Sequence, residues 1–463
     1  MKKRTLLIGF AALASCLASF AGTPENMQVW LKNGEYSVFD ISQVDSVTFG
    51  NSPQQEYTPL TENTMPPTFA APIPLEVNDQ ELKYIKSTNE FGSKCFSLMR
   101  KLDTTPVHFF SPVSLNIALG FCANGATAKG AKEITDAMGF TSEKAMADMN
   151  NFFQKLYLSL NSGVDSVDIH TANALWVNEG TKAKENFVNT AKESYYATVR
   201  NLDFKNDPLG SKDTIDHWAA LMTNDCIKNL GINITSDTRL VINNACYFKG
   251  NWVTKFTPVG KALFNGTTKK DSAEFMGIYD RYMDYSETDN FQAIKLDYGQ
   301  ESKTAGLQGA STESAAYSMI VVLPKNGHDL DEVWPTIRWD SIPFRRMQGD
   351  LFMPKFKSDG GYDLEKDVLP RLGIKDIFED YPNAVEEFPI YISQVRQDFF
   401  ISVDEEGTEA AAVTSIVGTL GGAIVQQRFT MTCDHPFAFA IRENRTGLIL
   451  FMGEYDSVPK AEN

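Results

Sequence analysis

One stretch of the chain constrains the fold more than any other, because it has the composition of a strand and the length of several. Residues 405–427 read EEGTEAAAVTSIVGTLGGAIVQQ, contain no proline and carry no charge after Glu409. Strands commonly run about 5–6 residues, so one buried strand accounts for only part of this run. If it stayed exposed, an uncharged run rich in β-branched residues would favour aggregation. The stretch is therefore predicted to be a loop that can become a strand.

The alternation of side chains supports this interpretation. In an extended strand, Glu409 would lie on the face opposite to a row of small or apolar residues, namely Thr408, Ala410, Ala412, Thr414, Ile416 and Gly418. Small side chains at the leading end would let the strand enter an existing sheet without overpacking it. We expect the row that starts at Thr408 to face inwards and Glu409 to face outwards.

The net charge of -16 argues against binding to nucleic acid, which needs clustered lysine and arginine. The 463 residues are 43% hydrophobic, which is enough to bury a large core. The six cysteines lack metal-ligand spacing, and Cys122 and Cys246 lie in apolar runs that predict core thiols. No metal or cofactor is predicted.

The N-terminus predicts export. Residues 1–4 are basic and residues 5–18 are apolar, as in a signal peptide. Cleavage after Ala21 would release a secreted protein that begins at Gly22. A competing interpretation is a lipoprotein signal that ends before Cys16, which would then carry the lipid. Both interpretations place the mature protein outside the cytoplasm, either secreted or periplasmic, or anchored at the cell surface.

Three further segments follow the signal peptide. Residues 22–50 predict a small β-hairpin, because strand-like sequences flank Asn33–Gly34, and 47–49 could add a third strand. Residues 51–77 are rich in proline and predict a linker. Residues 78–457 predict the main domain, with helices at 78–102, 114–138, 142–161 and 184–196, and strands at 168–178, 239–249, 292–297, 316–323 and 350–356. Helices first and strands later indicate an α+β fold.

Other functional patterns are weak. The glycines at 418, 421 and 422 lack the strand-to-helix context and the Lys-Ser pair of a phosphate loop. The five histidines are dispersed, and none accompanies a nucleophile signature such as Gly-x-Ser-x-Gly. The chain is therefore not predicted to be an enzyme.

The hinge of the long loop resembles that of inhibitory serpins, in which a run of small residues follows Gly-Thr-Glu. The corresponding residues here are Glu405, Glu406, Gly407, Thr408, Glu409, Ala410, Ala411 and Ala412. Seven further segments resemble serpin signatures in the same order along the chain: 109–114, 174–204, 244–252, 353–356, 372–378, 434–439 and 451–454. Together they cover roughly residues 78–455. The resemblance implies a serpin fold, with helices packed on three β-sheets and an exposed reactive-centre loop that can insert as a central strand.

The resemblance also assigns residues to the two regions where the main sheet opens, which the family calls the shutter and the breach. These residues are Ser111, Ser114, Asn244, Trp252 and Gln397. Serpins commonly have a histidine at the position of Gln397, where it bonds the shutter serine and asparagine. A glutamine amide can donate and accept, so we expect Gln397 to bridge Ser114 and Asn244. It cannot titrate, so sheet opening should depend less on pH.

In the family mechanism, a protease attacks the loop, forms an acyl-enzyme and is trapped when the loop inserts. The implied partner is a serine or cysteine protease held in a covalent complex, and the inhibitor is expected to be a monomer. The family's usual spacing from Gly407 implies a scissile bond between Gly421 and Gly422. The loop is about four residues longer than usual, which leaves Leu420, Ala423, Ile424 and Val425 as further candidates. These small or aliphatic residues suit an elastase-like or subtilisin-like pocket. The alternative is a non-inhibitory serpin-fold binding protein that is cleaved as a plain substrate.

Overall fold

The chain forms two compact units, residues 1–59 and 60–463. The computed structural model describes residues 26–30, 36–40, 69, 71–102, 105–163, 167–300, 315–386, 390–408 and 428–459. In the first unit, β1 (Asn26–Trp30) and β2 (Tyr36–Asp40) pair antiparallel, with Trp30 opposite Tyr36. In the sequence, these strands flank Asn33–Gly34. The predicted third strand at 47–49 and most of the proline-rich segment lie outside the described residues.

The described part of the second unit begins with helices and ends with strands. The helices are α1 (Asp79–Met99), α2 (Pro112–Ala123), α3 (Ala128–Ala137), α4 (Ala145–Asn161), α5 (Glu185–Tyr195), α6 (Pro208–Met222) and the single turn α7 (Leu330–Val333). The first strands are β3 (Val107–Phe110), β4 (Val167–Asn178), β5 (Thr198–Leu202), β6 (Leu240–Asn251), β7 (Thr257–Asn265), β8 (Lys270–Glu287), β9 (Phe291–Tyr298) and β10 (Tyr317–Pro324). The later strands are β11 (Arg345–Pro354), β12 (Phe356–Asp363), β13 (Arg396–Val403), β14 (Gly407–Thr408), β15 (Phe429–Thr432), β16 (Phe437–Glu443) and β17 (Ile449–Tyr455).

The segment predicted as one helix at 114–138 is two helices, α2 and α3. Gly125 lies in the break, where a Cβ would come within 2.4 Å of Tyr381 Cζ. The Thr127 side chain then caps α3 by accepting from Gly130 N at 3.0 Å. The close approach of Tyr381 and the new cap explain why apolar periodicity alone did not reveal the break.

The described strands of the second unit form two hydrogen-bonded networks. One is a six-stranded sheet in the order β12-β13-β14-β6-β4-β5. The other has the order β15-β11-β8-β9-β10-β16-β17-β3, with β7 on β8. The long strand β8 pairs with β7 and β11 over most of its length and with β9 at its end, so it joins two sheet regions. Helices packed on these sheets confirm the predicted α+β class.

The six-stranded sheet carries helices on both faces. On one face, α2 packs between this sheet and β17, and every residue of α2 except Ala118 is buried. On the other face, α6 contributes Trp218 to a separate apolar cluster that includes Trp176 and Ala245 of the sheet. A sheet covered on both sides must keep its central strands free of unpaired charge.

The described cysteines are free thiols. Burial raises the pKa of both Cys122 and Cys246 to about 12. Cys122 is buried as predicted, whereas Cys246 is only partly buried and packs against the core. No helix among the described residues is long and apolar enough to span a membrane. Within the same residues, no group of histidine, cysteine and acidic side chains is arranged to hold a metal ion.

Candidate functional site

The hinge already occupies one end of a strand position in the six-stranded sheet. Gly407 and Thr408 form β14, which pairs antiparallel with β6 on one side and with Val403 of β13 on the other. Thr408 lies opposite Gly250 and is only 3% exposed. Within residues 390–408 and 167–300, β13 and β6 do not pair with each other, and β14 links them. Thr408 therefore faces inwards, as the alternation predicts.

Gly407 is required by the close approach of β6. A Cβ at this position would lie 2.1 Å from the carbonyl oxygen of Gly250. Real Cβ atoms do not approach a backbone oxygen that closely, so any side chain would displace β14 from the sheet. The close approach of β6 is thus a steric reason for the glycine in the Gly-Thr pair that marks the hinge in the sequence.

A turn built on Asp404 leads into β14. Its Oδ1 accepts from the backbone N–H of Glu406 at 2.9 Å and of Gly407 at 3.2 Å. Asp404 N donates to the Gly407 carbonyl at 3.0 Å, which closes the turn. Burial raises the pKa of Asp404 above its ordinary value, although the two N–H donors oppose this shift. The hinge motif gave no direct signal for Asp404, because its role depends on the turn geometry.

Trp252, the residue after β6, stabilises the same turn through two hydrogen bonds. The residue is 1% exposed, and its Nε1 donates to the Asp404 carbonyl at 2.9 Å. Its backbone N–H donates to the Glu406 carbonyl at 2.8 Å. The indole also stacks on Tyr298, with ring centroids 4.5 Å apart. The predicted breach tryptophan therefore contacts the hinge directly.

Tyr298 is a contact residue that sequence reasoning missed. Its hydroxyl lies 2.8 Å from Thr408 Oγ1, in a fully buried hydrogen bond. Burial raises the pKa of Tyr298 far above that of a free phenol, so the hydroxyl stays neutral. Tyr298 ends β9, which in sequence looks like an ordinary buried strand.

Two ion pairs flank the hinge. Glu405 lies 3.1 Å from Lys355 Nζ, and Glu406 lies 2.6 Å from Lys255 Nζ. Both glutamates are largely buried, with side chains 10% and 12% exposed. Buried carboxylates that lost these partners would be costly, so the pairs favour the observed turn.

Below Thr408, a narrow cleft separates β6 from β13. Its walls are Cys246, Tyr247 and Phe248 of β6 together with Phe400, Ile401 and Ser402 of β13, and Thr408 lies at one end. The free space is about 20 Å³, close to the volume that holds one water molecule. Neighbouring strands lie about 4.7–4.9 Å apart, so a further strand fits only if β6 and β13 move apart.

The predicted shutter residues lie further along the same cleft, on the α2 side of the sheet. Ser114 Oγ donates directly to Asn244 Oδ1. Asn244 Nδ2 donates in turn to Asn173 Oδ1 at 2.8 Å, which connects β6 to β4. Ser111 caps α2 by accepting from Ser114 N at 3.2 Å, and its hydroxyl donates to the Leu450 carbonyl at 2.7 Å.

Gln397 does not bridge Ser114 and Asn244 as expected. Its Oε1 accepts from Ser111 N at 2.8 Å, and its Nε2 donates to the Ser111 carbonyl at 3.0 Å. Ser114 and Asn244 bond each other directly and leave no place for the amide between them. The prediction was wrong because the amide of Gln397 pairs with the backbone N–H and C=O of a single residue, Ser111.

The C-terminal end of the long loop is anchored at Arg428. Its guanidinium lies 2.7 Å from Asp280 and 3.8 Å from Asp350. The following residues form β15, which runs parallel to β11. The remaining predicted loop residues lie outside the described part of the chain: Glu409, Ala410, Ala411, Ala412, Leu420, Gly421, Gly422, Ala423, Ile424 and Val425.

Comparison with known families identifies one match. Residues 86–458 match the family model described as serpin (serine protease inhibitor). A serpin-like protein of Methanosarcina acetivorans is 32% identical over 390 residues, which cover 80% of this chain and 87% of that protein. Human serpin B3 is 31% identical and covers 80% of this chain and 98% of its own length.

Solved structures agree with the sequence comparison. The thermophilic serpin tengpin in its native state superposes with a TM-score of 0.71 at 24% identity, over 84% of this chain and 97% of tengpin. Serpin48 of the insect Tenebrio molitor superposes with a TM-score of 0.68 at 25% identity, over 83% of this chain and all of that protein.

Proposed function

The chain belongs to the serpin family, and we propose that it inhibits a serine or cysteine protease as a suicide substrate. Protease inhibition is the general function of this family. The finer proposal is that the long loop is cleaved, inserts into the six-stranded sheet and holds the protease as a covalent acyl complex. In this role the chain itself catalyses no reaction.

The position of β14 supports this proposal most directly. If β14 continued in its present register, Glu409 would lie opposite Lys249 and Ala410 opposite Phe248 of β6. On the other side, the same residues would lie opposite Ser402 and Ile401 of β13. The sheet therefore offers an inserted strand two antiparallel partners whose register is set by Gly407 and Thr408.

The proposed chemistry begins as ordinary proteolysis. The protease nucleophile attacks the scissile carbonyl, its hydroxyl or thiol proton passes to the leaving amine, and the peptide C–N bond breaks. The loop then stays bound to the protease as an ester or thioester. Insertion of about 17 residues at about 3.3 Å each would carry the protease some 55 Å. Deacylation fails if this movement deforms the protease active site.

The driving force lies in backbone groups that gain partners on insertion. Each net hydrogen bond contributes about 0.5–1.5 kcal/mol, so a dozen new ones would stabilise the inserted state by roughly 10 kcal/mol. The narrow cleft and the Ser114–Asn244 bond oppose the opening of the sheet. The uncleaved protein is therefore expected to be metastable.

The sequence of the loop supports a broad elastase-like or subtilisin-like specificity. The candidates at 420–425 are leucine, glycine, alanine, isoleucine and valine, which suit a shallow apolar pocket. A trypsin-like enzyme needs a cation, and Arg428 is already held by Asp280 beside β15. Trypsin-like enzymes are therefore expected to be poor targets.

We further propose that the protein is exported and acts as a monomer. The basic and apolar N-terminal residues support export, either as a secreted or periplasmic protein or as a lipoprotein anchored through Cys16. Labelling with radioactive palmitate would distinguish these routes, because only the lipoprotein would incorporate the label.

Denaturing gels test the inhibitory function. The protein without residues 1–21 is mixed with an elastase, a subtilisin and a trypsin, boiled and separated. A band at the summed mass of both proteins indicates a covalent complex, and mass spectrometry of the released peptide locates the scissile bond. Cleavage between residues 418 and 428 by every active protease without such a band would contradict inhibition.

That result would favour the second candidate, a serpin-fold binding protein that is only cleaved. One structural feature would serve such a function. A groove of about 720 Å³ lies between α1 and residues 334–341, with Trp334 and Trp339 among its walls. Its volume falls within the range of small-molecule sites.

A further inference from the structure

An exposed apolar patch lies beside Arg428, which anchors the C-terminal end of the loop. Tyr279 is 48% exposed and packs edge-on against Phe352, with ring centroids 5.2 Å apart. Val259 is 44% exposed and borders the same site, because a Cβ on Gly277 would lie within 3.1 Å of both Phe352 and Val259. We refer to Val259, Tyr279 and Phe352 as the distal patch. Exposed aromatic clusters of this kind commonly mark contact surfaces.

A β-bulge presents Tyr279 to solvent. Arg281 pairs with Gly349 and Ile278 with Leu351, so Tyr279 and Asp280 of β8 both face the single residue Asp350. Asp280 adopts a φ of +51°, which is uncommon for a residue with a side chain. Its backbone N–H donates to Asp350 Oδ1 at 2.7 Å and stabilises the bulge. Bulges often redirect a side chain next to a functional site.

The same bulge holds the end of the reactive loop. Asp280 pairs with Arg428, the first described residue after the loop, and Gln348 Nε2 donates to Asp280 Oδ1 at 2.8 Å. Two carboxylates, Asp280 and Asp350, surround one guanidinium, so this anchor carries a net negative charge. The apolar patch and the acidic anchor are thus adjacent along β8.

A protease on the loop cannot lie far from this surface. The candidates for the scissile bond, 420–425, are three to eight residues from Arg428, at most about 10–29 Å even in an extended chain. A protease of about 200 residues has a diameter of about 40 Å. Its active-site rim therefore reaches the surface around Arg428 while the enzyme attacks the loop.

We propose that the distal patch is a docking surface for the attacking protease. It favours enzymes whose active-site rim presents an apolar side chain beside a lysine or arginine, which would meet Asp280 and Asp350. This inference rests on the proposed function, because it assumes that proteases attack the loop. It adds a second determinant of target choice, since the small residues at 420–425 discriminate little between proteases with apolar pockets.

Rate measurements on matched variants test the docking surface. Tyr279→Ala removes the exposed ring, and Tyr391→Ala is the control, because Tyr391 is 62% exposed outside the patch. Val259→Lys is a second patch variant on β7, away from the bulge that holds Arg428; it removes the apolar side chain and would repel the lysine or arginine of the protease rim. The rate constant of loop attack is measured with an elastase and with a subtilisin. The protease that attacks the wild-type loop faster is the one used to compare the variants.

We expect Tyr279→Ala and Val259→Lys to lower this rate constant about 5- to 10-fold, and Tyr391→Ala to leave it unchanged. The number of inhibitor molecules consumed per trapped protease should stay the same, because insertion is not altered. Rate constants of both patch variants within twofold of the wild type would overturn the proposal. If Tyr279→Ala fails to fold, the rate constant of Val259→Lys decides.

The experiment gives a different result if the docking surface exists but the protein is not an inhibitor. If the wild-type protein forms no covalent complex, inhibition is refuted, but kcat/KM for cleavage of the loop still reports docking. An unchanged kcat/KM in both patch variants would then refute the docking surface as well.

Discussion

The side-chain amide of Gln397 and the backbone N–H and C=O of Ser111 exchange two hydrogen bonds, 2.8 and 3.0 Å long, between β13 and the N-terminus of α2. The pair is buried and joins one wall of the cleft to the helix behind it. Neither partner titrates, so this contact resists sheet opening equally over a broad pH range. A histidine at the same position would be neutral or charged near its ordinary pKa of about 6.5.

The first prediction concerns the substitution Gln397→His. Spontaneous loop insertion in the wild-type protein should change little between about pH 7.5 and 5.5. In Gln397→His it should accelerate as the pH falls, because a charged imidazole in a buried site is destabilising. The loss of inhibitory activity on incubation, followed at several pH values, measures this. Equal pH dependence in both proteins would refute the proposed role of Gln397.

The second prediction concerns Thr408→Arg. Thr408 is buried and bonded to Tyr298, so an arginine would force β14 out of the sheet and would bury a charge if the loop inserted. We expect the variant loop to be cleaved at a normal rate, with the covalent complex reduced at least tenfold on denaturing gels. Thr408→Ser, which keeps the hydroxyl, is the control and should trap normally. Full trapping by Thr408→Arg would refute insertion through β14.

The third prediction concerns the pH dependence of stability. Because burial raises the folded-state pKa of Asp404, the folded protein binds this proton more tightly than the unfolded chain. The contribution of Asp404 to the free energy of unfolding is fully present below the unfolded pKa of about 3.9. It is lost as the pH rises through the folded-state pKa. Asp404→Asn keeps the oxygen that accepts from Glu406 and Gly407 but removes the charge.

We therefore expect Asp404→Asn to unfold at a higher temperature than the wild type at pH 7, with a smaller difference near pH 4. Thermal unfolding followed by circular dichroism at both pH values measures this. Asp404→Ala is the control that removes the acceptor as well, and it should be less stable at both. A lower unfolding temperature for Asp404→Asn at pH 7 would contradict the effect of burial.

The fourth prediction concerns Arg428→Ala. Arg428 and Asp280 are both partly exposed, so their ion pair contributes at most about 1 kcal/mol to the anchoring of β15. Without it, β15 should leave β11 more often, and uncleaved loop should insert up to about fivefold faster. The half-life of inhibitory activity at 37 °C measures this, with Arg428→Lys as the control that retains the charge. An unchanged half-life would show that β15 is held by its strand pairing alone.

The sequence was a good guide to elements and a poorer guide to contacts. The strands at 167–178, 240–251, 291–298 and 317–324 lie within two residues of their predicted bounds, because their apolar and β-branched residues are a local signal. The strand predicted at 350–356 was wrong in its bounds, because it spans the end of β11 and the start of β12. The break between α2 and α3 was missed, because it depends on Tyr381, which is distant in sequence. The roles of Tyr298 and Asp404 were also missed, since neither residue belongs to a local motif.

The sequence by itself determined the family, the α+β class and the hinge, because the Gly-Thr-Glu run, the small residues after it and the collinear segments are all local patterns. Only the tertiary structure decided the partners of the hinge and shutter residues. Gly407 needs to be glycine because Gly250 of another strand lies against it, and Gln397 bonds Ser111 because β13 packs beside β3, the strand that leads through Ser111 into α2. Such contacts join residues more than a hundred positions apart, and their geometry is set by the packing of sheets and helices rather than by any local sequence pattern.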